Sequence, residues 1–303
     1  MHNINKVALV GLGAIGCAYA SRIMDTDPKL LHVVASEKRA QRWAQGIQVN
    51  GHPYFFPLVS PLGPPEPMDI VFVAVKYHQL PQAIEDMRRF VGPQTIILSL
   101  LNGISSEEII AQEYGWEHLL YGLCVGIDAV RENGVVEFSH TGKVMFGEKT
   151  NEVPSARVER VQRFFARCNI SYEVPTDMIR ALWWKFMINV GINQMSGVLR
   201  APYGAFQQIP EATDLMKAAM REVILLSQRA RIGLKEDDIE AFIHFLHTLS
   251  PEGKTSMLQD VEAGRKTEVE MFAGDVCRLG QEYQLPTPVN EMLLQMIHAM
   301  EKM

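Results

Sequence analysis

The stretch Lys6-Val7-Ala8-Leu9-Val10-Gly11-Leu12-Gly13-Ala14-Ile15-Gly16 passes from an apolar, β-branched run into a glycine-patterned turn. Residues 6–10 predict a strand, and a helix follows from about residue 14 to 24. In that frame each glycine has a task. Gly11 permits the tight turn, Gly13 lets the backbone approach a pyrophosphate, and Gly16 lets helix and strand pack closely. Leu12, Ala14 and Ile15 fill the positions between them. The first amides of the helix, at the positive end of its dipole, suit phosphate groups. The motif alone is weak, and its weight comes from the alternation of elements downstream.

Residues 31–35 form a second strand, followed by a helical run over 38–45. Residues 69–75 (DIVFVAV) and 95–101 (TIILSLL) are almost wholly apolar, as strands buried on both faces of a parallel sheet should be. Helical periodicity over 81–90 separates them. Asn50-Gly51 and Asn133-Gly134 predict two hairpins, and a helix over 154–168 with a strand over 170–174 completes the half. The fold class is α/β, a doubly wound parallel sheet of the Rossmann type. After Pro175 strand-like runs nearly vanish, and helices are expected over 177–199, 212–231, 236–248, 254–263, 267–283 and 290–302. The domain boundary is drawn at residue 176, giving a nucleotide-binding domain over 1–176 and an all-α domain over 177–303.

The second strand ends Ala35-Ser36-Glu37-Lys38-Arg39. Ser36 can hydrogen-bond a 2′-phosphate, and Lys38, Arg39 or Arg42 can neutralise it. Glu37 is the counter-signal, because an acid near this position binds the ribose 2′-hydroxyl of NAD. Together these residues favour NADP(H). Lys76 and Asn102 each follow a buried strand, where ligands of open α/β sheets bind. A solvated loop lysine and a turn-forming asparagine before Gly103 are the bland alternatives.

In the helical half, Lys185, Asn189 and Asn193 recur every four residues in an otherwise apolar run, LWWKFMINVGINQM. At α-helical geometry they share an arc of roughly 80°, with Ser196 on the same stripe. Spaced asparagines help little on an open helix face, so a cleft-facing stripe is preferred to a solvent-facing one. A second cluster runs from Ser256 to Glu270. Ser250-Pro251 signals a helix start that brings Ser256 near a helix N-terminus, suited to a carboxylate. Gly264 ends that helix, and Thr267 with Glu270 has the capping-box pattern for the next. Glu268 either complements that helix dipole or, near Lys185, holds its ammonium charged and aimed.

These clusters resemble the ketopantoate reductase (2-dehydropantoate 2-reductase) family over essentially the whole chain. The matching pieces are GLGAIG at 11–16, VKYHQ ending at Gln79, LNG at Asn102, KFMINVGIN at 185–193 and SMLQDVEAGRKTEVE at 256–270. The last two are specific in combination. The resemblance implies a Rossmann domain followed by an all-helical domain, the 6-phosphogluconate-dehydrogenase-like arrangement. It implies reduction of ketopantoate to pantoate by NADPH, on the route to pantothenate and coenzyme A. By position, Lys185 resembles the general acid, and Asn102 the residue touching both nicotinamide and substrate. Asn189, Asn193 and Ser256 resemble substrate contacts, Glu268 the carboxylate completing the site beside the cofactor, and Lys76 and Gln79 cofactor-side residues. Three positions depart from the family pattern. Tyr203 in Pro202-Tyr203-Gly204 and Gly253 stand where asparagines are common, and Ser36 where an arginine often holds the 2′-phosphate.

The rest of the chain narrows the classes. A length of 303 residues suits two domains, and 47% hydrophobic composition is ample for their cores. The net charge of −6 and pI near 5.9 argue against nucleic acid or an anionic membrane as main partner. Cys17, Cys124, Cys168 and Cys277 form no close pair and no metal motif, which suits a reducing compartment. No run approaches the roughly 20 apolar residues of a membrane span. The expectation is a cytoplasmic enzyme without a metal, acting on a small 2-oxo acid. The apolar runs 212–228 and 291–300 read as domain core, with a homodimer interface as the alternative. Two rivals remain: a paralogue reducing another 2-oxo or 3-oxo acid, and an inactive NADP-binding redox sensor.

Overall fold

The computed structural model describes residues 3–132 and 134–303. They divide into two compact units: residues up to Asn102 with Ser106–Met178, and Gly103–Ser105 with Ile179–Met303.

In the first unit, β1 (Val7–Val10) leads into α1 (Ala14–Thr26), β2 (Leu31–Val34) and α2 (Glu37–Trp43). A small hairpin, β3 (Ile47–Val49) and β4 (His52–Tyr54), precedes β5 (Leu58–Val59). Then come β6 (Ile70–Val73), α3 (Leu80–Asp86), β7 (Ile96–Ser99) and α4 (Ser106–Tyr114). The unit closes with β8 (Leu119–Ile127), β9 (Val130–Glu132), β10 (Val135–Glu137), β11 (Thr141–Gly147), α5 (Ala156–Arg167) and β12 (Tyr172–Glu173). Every residue of β1, β6 and β7 is buried. Helices cover both faces of their sheet: Cys17, Tyr19, Ile23, Val158, Phe164 and Phe165 on one, Leu80, Ala83, Ile84 and Ile110 on the other. That double cover is why these strands are apolar without alternation.

The eight-stranded sheet has the order β12-β11-β8-β7-β6-β1-β2-β5, parallel except where β11 runs against β8. The chain leaves β1 toward β2 on one side and returns to β6 and β7 on the other. The strand order therefore reverses between β1 and β6, where Val10 pairs with Val73. The turns after β1, β6 and β7, carrying Gly11, Lys76 and Asn102, lie at the carboxyl ends of three neighbouring strands.

The Asn50-Gly51 hairpin forms as expected, with φ of +48° and +78° at its two turn residues and β3 antiparallel to β4. Asn133 of the second hairpin lies outside the described residues, while its flanking strands β9 and β10 pair antiparallel. The two hairpins join through parallel pairing of β3 with β10 into a separate four-stranded sheet. Helix α4 and the long strands β8 and β11 are not among the elements expected from sequence. Gly122, Gly126 and Gly142 break up the β pattern there. A Cβ at Gly122 would sit 2.5 Å from the Ser99 carbonyl oxygen, so glycine lets β8 close on β7.

The second unit is helical: α6 (Met178–Ile188), α7 (Gln194–Leu199), α8 (Tyr203–Gln208), α9 (Pro210–Arg229), α10 (Glu236–Leu246), α11 (Ser256–Glu262), α12 (Ala273–Tyr283) and α13 (Pro288–Met300). Two expectations are corrected. The single helix over 177–199 is interrupted by a π-helical turn, Asn189–Asn193. There Gln194 bonds back to the Val190 carbonyl at 2.7 Å, and a Cβ at Gly191 would meet Met220 at 2.5 Å. The capping box of Thr267 and Glu270 does not form either. Thr267 donates its N–H and hydroxyl to Glu301 (2.8 and 2.6 Å), and Glu270 contacts His298 at 2.8 Å. A short 3₁₀ turn, Val269–Met271, intervenes, and the helix resumes only at Ala273. Partners on α13 and its C-terminal cap residue outcompete the local cap. Among the described residues no helix is long and apolar enough to cross a membrane.

Candidate active site

The glycine turn has the geometry its sequence requires. Gly11 has φ +104°, and a Cβ there would lie 2.5 Å from the Ala74 carbonyl oxygen. At Gly16 a Cβ would fall 2.0 Å from the Gly11 carbonyl oxygen, so helix and turn touch only because that residue has no side chain. Gly13 is the N-cap of α1 and supplies no side-chain cap. The amides opening this 13-residue helix therefore receive no side-chain cap, and the dipole of the helix favours an anion at that end. Leu12 is buried, and its carbonyl accepts from the Arg131 guanidinium on β9 and from the Cys17 thiol. Burial pushes that thiol up to about 12, with Arg131 opposing, so it stays protonated as a donor. Sequence offered no signal for Arg131, whose approach depends on the second sheet.

Ser36 is the N-cap of α2 and makes no side-chain cap bond. Lys38 and Arg42 are exposed, but Arg39 is committed elsewhere: it pairs with the buried Asp86 at 2.9 Å. Three of the four residues expected around a 2′-phosphate keep that role open, and Arg39 is tied to α3. The Gln79 side chain folds back to accept from the Lys76 N–H at 3.3 Å, closing the 3₁₀ turn Tyr77–Gln79. Lys76 and Asn102 are half-buried.

In the helical unit, Lys185 is half-buried near the end of α6. Asn189 and Asn193, 9% and 6% exposed, sit at the two ends of the π turn. Asn193 Nδ2 donates to Asn189 Oδ1 at 3.0 Å. Asn189 Nδ2 is buried with no hydrogen-bond partner among the described residues. Leaving a buried donor unmade costs about 1–3 kcal/mol, so this amide calls for a partner that the described residues do not supply. Turns of π-helix concentrate at functional sites. Ser196 does not join the stripe; it is fully buried and donates to the Ala201 carbonyl at 2.6 Å. The π turn has shifted its phase. Ser256 is exposed as the first residue of α11, which is capped by the Thr255 hydroxyl, and α11 packs against the π turn and α7. Glu268 is 7% exposed, just ahead of the 3₁₀ turn. No group of three or more His, Cys, Asp or Glu among the described residues is placed to hold a metal ion.

Two sequence families meet this arrangement in chain order. "Ketopantoate reductase PanE/ApbA" matches residues 7–151, and "Ketopantoate reductase PanE/ApbA C terminal" matches residues 177–301. The chain belongs to the ketopantoate reductase family. That makes it a member of a family of oxidoreductases. A 2-dehydropantoate 2-reductase of Archaeoglobus fulgidus is 26% identical over 298 residues, covering 98% of both chains. Among solved structures, D-mandelate dehydrogenase in its ternary complex with NADH and anilino(oxo)acetate superposes with a TM-score of 0.89 at 20% identity, covering 98% of both chains. Dimeric ketopantoate reductase from Staphylococcus aureus gives 0.81 at 19% identity, covering 98% of this chain and 99% of that one. At such identities the structural likeness carries the fold alone.

Tyr203 and Gly253, the two positions where the resemblance led to an expectation of asparagines, touch each other. Tyr203 N–H donates to the Gly253 carbonyl at 2.9 Å, and a Cβ at 253 would lie 2.7 Å from the Tyr203 ring. A side chain at 253 would thus crowd the Tyr203 ring and the Ser250 carbonyl oxygen. Burial also raises the phenol's pKa, keeping it neutral.

Proposed function

We propose that this chain uses NADPH to reduce a 2-oxo acid to the 2-hydroxy acid, with ketopantoate to pantoate, on the route to pantothenate and coenzyme A, as the first reading. The observation that carries it is the buried, unpartnered Asn189 amide beside Asn193, one turn beyond Lys185 in an apolar helix. Such a donor matches a carboxylate or hydroxyl oxygen of a small acid. A bound reduced nicotinamide supplies the hydride that goes to the substrate C2. Lys185 holds its ammonium proton for the carbonyl oxygen and meets the charge developing there. Asn189, Asn193 and Ser256 orient carboxylate and hydroxyl without adding net charge. Asn102 positions nicotinamide and substrate, and Glu268 keeps Lys185 charged and aimed.

The amides of α1 and the turn from Gly11 to Gly16 receive the pyrophosphate. Ser36, with Lys38 and Arg42, takes the 2′-phosphate, while Lys76 and Gln79 serve the cofactor side. On this reading residues 1–176 bind NADP(H), residues 177–303 bind substrate, and the enzyme works in the cytoplasm. A homodimer is carried with it, as in the Staphylococcus aureus relative described as dimeric.

A second substrate reading has its own support. It rests on the expectation that Tyr203 and Gly253, which touch each other, stand where family members commonly carry asparagines, and a ring in place of amides would suit a 2-oxo acid with an apolar or aryl group. D-mandelate dehydrogenase shares this fold. The test is oxidation of NADPH, and separately NADH, by the purified protein with ketopantoate, phenylglyoxylate, pyruvate and longer 2-oxo acids. Preference for ketopantoate with NADPH supports the first reading. Preference for phenylglyoxylate supports the second and keeps Lys185 in its role. Cofactor binding without turnover on any acid would sink both and leave the sensor.

A further inference from the structure

The turn after β7 is held by a chain of hydrogen bonds ending on a buried carboxylate. Glu107, in the first turn of α4, is 2% exposed, as is Ser106, and Ser99 is fully buried. Glu107 Oε2 accepts from the Ser106 hydroxyl at 2.9 Å, and its Oε1 accepts from the Gly122 N–H of β8 at 3.3 Å. Ser106 Oγ lies 2.8 Å from Ser99 Oγ, and Ser99 Oγ accepts from the Leu101 N–H at 3.3 Å. A hydroxyl has one proton to give. Ser106 gives its proton to the carboxylate, so Ser99 must donate to Ser106, and Ser99 then has lone pairs for Leu101. One carboxylate thus sets the polarity of the whole chain, which ends on the residue before Asn102.

We propose that Glu107 is a positioning residue that fixes the backbone carrying Asn102 through Ser106 and Ser99, so that the Asn102 amide meets nicotinamide and substrate in one orientation. The proposal rests on the reading of Asn102 given above. A carboxylate is needed here because both of its oxygens face donors. Glutamine offers one oxygen; wherever that points, its NH₂ meets either the Ser106 hydroxyl or the Gly122 N–H. The hydroxyl could reverse its proton, but the backbone N–H could not. Either arrangement breaks or inverts the chain, and a reacting group displaced by about 1 Å can cost on the order of 10²-fold in rate.

The test is a double-mutant cycle on the full chain, with NADPH and whichever 2-oxo acid it turns over fastest. Glu107→Gln should lower kcat by about 10- to 100-fold, with KM and NADPH affinity within about threefold of wild type. Placed on Asn102→Ala, it should cost less than about twofold, because its route is already cut. Ser99→Ala severs the same chain at its other end while leaving the carboxylate its two donors. It should show the same loss and the same dependence on Asn102, and it keeps the test open if Glu107→Gln fails to fold. Penalties that multiply independently with Asn102→Ala overturn the proposal alone. So does a lower unfolding temperature with unchanged kcat. Full turnover by Asn102→Ala would instead bring down the reading of Asn102, and the proposal with it.

Discussion

Replacing Lys185 by alanine removes the group assigned to protonate the carbonyl oxygen, and a positioned general acid contributes roughly 10²- to 10⁴-fold. Lys185→Ala should therefore lose that much in kcat while NADPH affinity, followed by cofactor fluorescence, changes little. Undiminished turnover would take Lys185 out of the mechanism. Asn189 makes a second prediction at this scale, because its Nδ2 contributes no bond among the described residues. Asn189→Ala should raise KM for the 2-oxo acid by about 10- to 100-fold, the range of a lost charge-assisted hydrogen bond. Its thermal midpoint should fall no further than truncation of a comparable buried side chain would bring. A large stability loss with unchanged KM would make the amide structural. Lys185, Asn189 and Asn193 were legible as residue types at helical spacing. The unpartnered amide was not, because whether a polar atom finds a partner is decided by side chains distant in sequence.

At the scale of elements, the helix carrying these residues shows where periodicity stops being a guide. A strict 3.6-residue repeat would keep Ser196 on the polar stripe. The π turn Asn189–Asn193 instead rotates α7 relative to α6, and the Ser196 hydroxyl bonds back to its own chain. Around that turn Gln194 donates to Asn290 Oδ1 at 3.0 Å and accepts from the Ala273 N–H at 3.1 Å, and Met220 leaves no room for a Cβ at 191. These partners lie far away in sequence, so no helical period records them. The contact of Tyr203, at the start of α8, with Gly253 predicts a coupled pair. Gly253→Asn alone drives a Cβ into the Tyr203 ring and should lower the melting temperature by several degrees, as overpacking of about 1–3 kcal/mol does. Tyr203→Asn with Gly253→Asn should recover that loss and shift relative kcat/KM from aryl or apolar 2-oxo acids toward ketopantoate. Recovery of stability without any change in substrate preference would leave the pair a packing detail.

At the scale of the whole molecule, the chain leaving β11 is tied back by Glu148. It accepts from Ser155 Oγ at 2.7 Å and from Arg157 Nε at 2.6 Å, and Asn151 joins the same corner to the Pro175 carbonyl at 2.8 Å. Burial pushes the Glu148 carboxyl up, but donation from Arg157 and Ser155, with the Arg157 charge, wins and holds it below the ordinary range. Its contribution is thus fully present above the unfolded value of about 4.3 and disappears as pH falls through the lower folded value. The difference in thermal midpoint between wild type and Glu148→Gln should be widest near neutral pH and close below about pH 4. A difference that stays constant down to pH 3 would remove Glu148 from the acid sensitivity.

By itself the sequence determined the doubly wound sheet, the glycine turn at its switch point, the change to helices near residue 176 and the family. Each of these rests on local pattern: strand and helix periods, and glycines whose missing side chains the backbone demands. Tertiary structure alone decided the rest. It joined two hairpins into a second sheet that carries Arg131 to the glycine turn, and tied Arg39 to Asp86. It also buried Glu107 behind Asn102, drew Thr267 to Glu301 and turned Ser196 from the stripe. Burial and hydrogen-bond partnership are properties of residues far apart in sequence, and no local period records them.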